Sequence, residues 1–139
     1  MTKSDEHQQK PPIKVFIVED HPVVRHGLEQ LISAESDLRV CGEAEGADEA
    51  FERIDAARPD IVLIDLALKN GNGMELIHRI SSTWVGLKMI VVSSYDASAY
   101  APSVLRAGAM GYINKHEAID QIITAIRCVL RGEMFAGNA

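Results

Sequence analysis

The chain has 139 residues, 47% of them hydrophobic, enough for a single domain whose core needs no disulfide or metal staple. Its 14 Lys+Arg against 20 Asp+Glu leave a formal net charge of −6, the opposite of a free-standing nucleic-acid binder. No window approaches the ~20 consecutive apolar residues of a membrane span, and the opening MTKSDEHQQKPP lacks the apolar stretch of a secretory signal, so no membrane contact and a cytoplasmic location are expected.

Residues 1–12 are polar and end in Pro11-Pro12, the composition of a disordered tail. From residue 13 onward, short β-branched runs alternate with longer segments whose apolar residues lie three and four apart, the pattern of parallel strands joined by helices. Predicted strands are 15–18, 38–41, 61–64, 89–92 and 112–113. The first, third and fourth are continuously apolar, as central parallel strands covered on both faces should be. The first helix is expected around Val23, Val24, Leu28, Leu31 and Ile32, and the last along Ile119, Ile122, Ile123, Ile126, Val129 and Leu130. Between them, helices are expected at 47–57, at 74 to about 82 and at 102–107, with Pro102 in a first turn or breaking the helix. Right-handed crossovers make this an α/β, doubly wound five-stranded parallel sheet with five helices, over residues 13–131.

Cys41 and Cys128 form no Cys-x-x-Cys pair and read as buried small hydrophobes. The histidines His7, His21, His26, His78 and His116 lack His-x-x-x-His spacing, which argues against a histidine-built metal site.

In such a sheet ligands belong at the carboxyl ends of the strands. There the sequence places Glu19-Asp20, Glu43, Asp65, Ser93-Ser94, and Lys115 after Asn114. Glu19, Asp20 and Asp65 would repel one another without a hard divalent cation, and carboxylate, carbonyl and water donors are a magnesium-type environment. An ammonium from Lys115 and a hydroxyl from Ser93 would complete a pocket for a phosphoryl group, with Asp65 as nucleophile. Singly, each residue has an ordinary explanation: Asp20 and Pro22 can open a helix, Asp65 can form a turn, Lys115 can be a solvated surface lysine. Their joint occurrence after strands one, three, four and five favours a site.

These residues carry a resemblance. The pair Glu19-Asp20, the aspartate ending Asp60-Ile61-Val62-Leu63-Ile64-Asp65, Ser93, and Gly111-Tyr112-Ile113-Asn114-Lys115 resemble, in order, a bacterial response-regulator receiver domain of a two-component system. Glu19-Asp20-His21-Pro22-Val23-Val24-Arg25-His26-Gly27-Leu28 and Leu105-Arg106-Ala107-Gly108-Ala109-Met110-Gly111-Tyr112 resemble the NarL/LuxR-type subgroup with a helix-turn-helix output domain. The resemblance implies a flavodoxin-like fold with strand order 2-1-3-4-5 and phosphorylation of Asp65 by a partner sensor histidine kinase. It implies Mg2+ held by Asp20, Asp65 and the backbone carbonyl of Ala67, with Glu19 direct or through water. Lys115 would pair with the phosphoryl oxygens, Ser93 would swing to them after transfer, and the rotamer of Tyr112 would follow Ser93. For Tyr112, ordinary core packing is an equal reading.

Two departures stand out, and one further residue has an expected role. Lys115 is followed by His116 rather than proline, which suggests a looser loop. Leu66-Ala67-Leu68-Lys69-Asn70-Gly71-Asn72-Gly73 replaces the usual Met-Pro-Gly stretch and has two glycines able to take positive φ, which suggests mobility without cation. Tyr95 is placed to shield the acyl phosphate from water.

Two rival functions remain: a phosphate-independent interaction module, and an aspartyl-phosphate hydrolase, which the alanine at position 67 disfavours by withholding a second carboxylate. Residues 132–139 resemble the start of a linker to a DNA-binding domain, with Phe135 an uncovered apolar residue. DNA contact is then expected only through that output domain, and homodimerisation on phosphorylation is the expected output.

Overall fold

The computed structural model describes residues 10–94 and 97–135, in which strands and helices alternate. Strand β1 (Ile13–Val18) leads to helix α1 (Pro22–Ser33), β2 (Leu38–Ala44) to α2 (Ala47–Ala57), β3 (Ile61–Ile64) to α3 (Gly73–Thr83), and β4 (Lys88–Ser93) to α4 (Ala97–Arg106). Strand β5 (Gly111–Asn114) passes through a 3-10 turn (Lys115–Glu117) into α5 (Ala118–Leu130). All strand pairings are parallel and run β2-β1-β3-β4-β5, the expected order.

Period-two alternation divides the core into two layers. Phe16, Val18, Val62, Ile64, Met89, Val91 and Tyr112 face α2, α3 and α4, where Ala50, Ile54, Leu76, Ile77, Ile80 and Val104 cover them. Val15, Ile17, Ile61, Leu63, Ile90, Val92 and Ile113 face α1 and α5, against Leu28, Ile32, Ile122, Ala125, Ile126 and Val129. Because every position of β3 is buried, its sequence shows no polar alternation, and the first polar residue after it is Asp65, itself buried at the strand's carboxyl end.

Several expectations are corrected. Strand β2 runs three residues past Cys41, because the β1–β2 register shifts there: Val15 faces Val40, but Phe16 faces Gly42. A Cβ on Gly42 would sit 2.7 Å from the Phe16 ring, so a glycine is needed beside it. Helix α4 begins five residues earlier than predicted and carries Pro102 inside it. The loop after Lys115 is a 3-10 turn capped by Asn114, whose Oδ1 accepts from the His116 amide at 2.9 Å. Phe135 is covered: it bridges to Gly111 on the outer edge of β5, with Phe135 N donating to Met110 O and Tyr112 N to Phe135 O, both at 2.9 Å. Cys41 and Cys128 are only half-buried. Among the described residues no helix is long and apolar enough to cross a membrane.

Candidate functional site

The sheet ladder continues past the strands into the site. Glu19 N donates to Ala44 O and Asp65 N to Val18 O, each at 3.0 Å, so both acidic residues are placed by backbone pairing rather than by loop chance. Glu19, Asp20, Asp65 and Ser93 are the buried polar or charged side chains among the described residues, and they lie together at the carboxyl edge of the sheet. The Arg25 guanidinium donates to Glu19 O at 2.7 Å and pairs with Glu43 and Glu45, pinning the turn between β1 and α1. Glu43 therefore serves β2 and Arg25, inside its strand.

Lys115 closes the constellation. Its Nζ lies 3.1 Å from both Asp65 Oδ2 and Glu19 Oε2, joining residues 50 and 96 positions away in sequence. Burial alone would lower the lysine's pKa, but the hydrogen bond to Asp65 and the charges of Glu19 and Asp65 outweigh it and raise it. Glu19 is pushed up, chiefly by burial and further by the Asp65 charge, against the lowering hydrogen bond from His21. Asp65 Oδ1 accepts from the Ala67 amide at 3.0 Å, and Asp20 Oδ2 from the Lys69 amide at 2.7 Å, so the loop after β3 is tied to both carboxylates. Its two glycines differ: Gly71 takes φ +93°, whereas Gly73 is required for close approach to the Asp65 carbonyl.

Two buried oxygens, Glu19 Oε1 and Asp20 Oδ1, have no hydrogen-bond partner. Buried carboxylate oxygens without a donor are costly, and a hard divalent cation is the partner that three clustered carboxylates call for. The residues present thus fit magnesium.

Ser93 is fully buried at the end of β4, in register with Asn114. Tyr112 is likewise fully buried, its ring among the core residues facing α2, α3 and α4. Tyr95 lies outside the described residues. Sequence reasoning missed His21, whose Nδ1 is 2.9 Å from Glu19 Oε2 and 3.2 Å from Asp20 Oδ1. A test for paired histidines on one helix is blind to a single imidazole beside the two carboxylates that precede it in the same turn. The available signal was its place directly after the acidic pair.

Comparison with known proteins agrees with this geometry. The chain is 37% identical over 126 residues to the DNA-binding transcriptional activator DevR/DosR of Mycobacterium tuberculosis, covering 91% of this chain and 58% of that protein. It is 32% identical to the oxygen regulatory protein NreC of Staphylococcus haemolyticus, covering 88% of this chain and 57% of that one. The chain thus spans somewhat over half the length of these relatives. Among solved structures, a LuxR-family two-component response regulator from Aurantimonas sp. SI85-9A1 superposes with a TM-score of 0.84 at 31% identity, covering 89% of each chain. The receiver domain of RcsB from Escherichia coli shares the fold, with a TM-score of 0.85 at 24% identity over 91% of this chain and 99% of that one. Residues 15–127 match the response regulator receiver domain model, and the chain belongs to that family.

Proposed function

We propose that Asp65 is the phosphoryl acceptor of a two-component phosphorelay, supplied by the phosphohistidine of a sensor histidine kinase. The observation that carries this reading is the Lys115 ammonium bridging the buried carboxylates of Asp65 and Glu19. An ammonium so placed can follow the charge that develops when an Asp65 oxygen attacks phosphorus and the bond to the donor imidazole breaks. Mg2+, held by Asp20, Asp65 and the Ala67 carbonyl with Glu19 direct or through water, would supply charge neutralisation for the transferring phosphoryl oxygens.

After transfer the phosphoryl group adds negative charge to an already acidic pocket, so Ser93 and Lys115 reorganise around it and the buried Tyr112 ring follows Ser93. A bias of ~3–5 kcal/mol between two conformations, the yield of a few charge-assisted hydrogen bonds, takes such a switch from mostly off to mostly on. The output we infer is control of transcription through a helix-turn-helix domain, with self-association on phosphorylation. The relative named as a DNA-binding transcriptional activator supports that extension. The family match weighs against the hydrolase reading.

The test is intact mass after incubation with MgCl2 and acetyl phosphate. The wild type should gain about 80 Da, one phosphoryl group, and Asp65→Asn should gain nothing. Equal gain in both would remove Asp65 as the acceptor.

A further inference from the structure

His21 occupies the N-cap of α1, yet its side chain makes no capping hydrogen bond. Its Nδ1 instead reaches into the acidic pocket, 2.9 Å from Glu19 Oε2, 3.2 Å from Asp20 Oδ1 and 3.3 Å from Lys115 Nζ. One ring nitrogen cannot satisfy these neighbours together. With a hydrogen it donates to Glu19 and faces an ammonium; with a lone pair it accepts from Lys115 and faces two carboxylates. A shared cation resolves the conflict, because the lone pair and the carboxylates then all point at positive charge.

The distances allow this. One ligand atom each from Glu19, Asp20, His21 and Asp65 lie within 4.8 Å of one another. That is close to the roughly 4–4.5 Å between opposite ligands on one ion with bonds of about 2.0–2.2 Å. Glu19 Oε1 sits buried with no hydrogen-bond partner, and Asp20 Oδ1 makes no hydrogen bond and has the His21 ring 3.2 Å away, on residues 1% and 6% exposed. The imidazole is 56% exposed and can settle onto an ion without repacking the core.

We propose that His21 is a direct imidazole ligand of this cation site, and that it shifts the site's preference from magnesium toward borderline first-row divalent ions such as Co2+ and Ni2+. Oxygen donors alone suit magnesium, whereas imidazole adds affinity for the transition ions and little for magnesium. The inference rests on the acidic pocket being the metal site of the proposed phosphorelay function.

The experiment titrates metal-stripped protein with Co2+, followed by its visible absorption and by hyperfine-shifted imidazole proton resonances. Thermal unfolding with Mg2+ is measured in parallel, on the wild type, His21→Ala and His21→Gln. Only the Co2+ signal displaced by excess Mg2+ is counted, which removes ions held by other histidines. The expected result is a displaceable Co2+ signal with a shifted imidazole proton in the wild type. Both variants should lose that resonance and bind Co2+ at least about tenfold more weakly, with the Mg2+ response little changed. Equal Co2+ affinity and an unchanged resonance in the variants, with Mg2+ still binding, would overturn the role of His21 alone. Failure of the wild type to respond to either ion would overturn the metal site itself, and this inference with it.

Discussion

Gly73 opens α3 directly behind the loop that carries Asp65. A Cβ there would lie 2.4 Å from the Asp65 carbonyl oxygen, 2.6 Å from Leu66 Cα and 3.0 Å from Leu66 O, all backbone atoms that cannot rotate aside. Ordinary contact begins at 3.4 Å, so Gly73→Ala forces the acceptor loop and α3 about 1 Å apart. Two effects oppose. Helix propensity and the reduced freedom of the unfolded chain favour alanine by ~0.4–1 kcal/mol, since Gly73 is not among the positive-φ glycines. Overpacking costs ~1–3 kcal/mol and wins, leaving a net loss of about 1–2 kcal/mol and a fall in Tm of roughly 3–8 °C. Gly27, inside α1, is the matched control: nothing lies within 4 Å of its added Cβ, so Gly27→Ala should stabilise by ~0.5–1 kcal/mol. Urea and thermal unfolding of both variants decide the matter. Under the proposed function, displacing Asp65 should also slow acyl-phosphate formation, with a misplacement of ~1 Å costing on the order of 10²-fold, while Gly27→Ala reacts at the wild-type rate. If Gly73→Ala is as stable as the wild type, or the two variants shift in the same direction, the steric argument is wrong.

Lys115→Ala leaves the carboxylates of Asp65 and Glu19 facing each other without their shared ammonium, so stability without metal should fall by ~3 kcal/mol and Mg2+ should restore much of it. Urea unfolding with and without MgCl2 checks this, and a variant no more responsive to Mg2+ than the wild type would contradict it. Arg127 grips Asp37 through two hydrogen bonds of 2.7 and 3.0 Å and holds its carboxyl below the ordinary 3.8. A depressed folded-state value gives stability that is present above pH 3.8 and lost as pH falls through the folded value. The Tm gap between wild type and Arg127→Gln should therefore be constant near neutrality and close below pH 3.8; a gap that widens in acid would refute the assignment. In Gly111→Ala the new Cβ would meet Phe135 O at 3.1 Å and Ile90 Cγ1 at 3.3 Å. Hydrogen exchange at the Phe135 and Tyr112 amides should then speed up while Leu63 in the central strand stays protected, and unchanged exchange would mean that the segment around Phe135 is not held by that pairing.

The parts of the fold that were legible in sequence are those where burial leaves no choice. Strands β3 and β4 are largely apolar because helices cover both faces, and their carboxyl ends marked the positions of Asp65 and Ser93, whose significance came from their joint occurrence with Glu19, Asp20 and Lys115. Strand β2 was read short because it is an edge strand with partly exposed residues and a register shift at Cys41, which local pattern does not encode. The start of α4 was hidden by Pro102, since a ring that usually ends or opens a helix here lies inside one. Phe135 was read as uncovered because its partner is backbone: the bare edge of β5 at Gly111 offers no side-chain signal. Within the site, the acidic and basic residues could be named from type and position. The contacts of Lys69 with Asp20 and of Arg25 with Glu43 and Glu45 could not, because each depends on the sheet bringing two segments together, whereas the His21 contacts with Glu19 and Asp20 are local to one turn.

The same geometry explains why the pocket is poised for charge rather than merely tolerant of it. Glu19, Asp20 and Asp65 bring three negative charges, and Lys115 returns one positive, so two are left over in a site whose carboxylates are almost wholly buried. A hydrophobic substitution at any of them would relieve that strain, as replacing buried ion pairs often does. Retaining them therefore means that the folded protein carries a standing electrostatic deficit of the size a divalent ion cancels. Once an ion is bound the pocket is near neutral, and under the proposed function a phosphoryl group on Asp65 would return about one negative charge, which Lys115 and Ser93 could hydrogen-bond but not cancel. Restoring neutrality by Asp20→Asn and Glu19→Gln together should accordingly raise the stability of the metal-free protein while abolishing its stabilisation by Mg2+, as thermal unfolding would show. A double variant that is less stable than the wild type without metal would mean that those carboxylates hold the turn together rather than charge it.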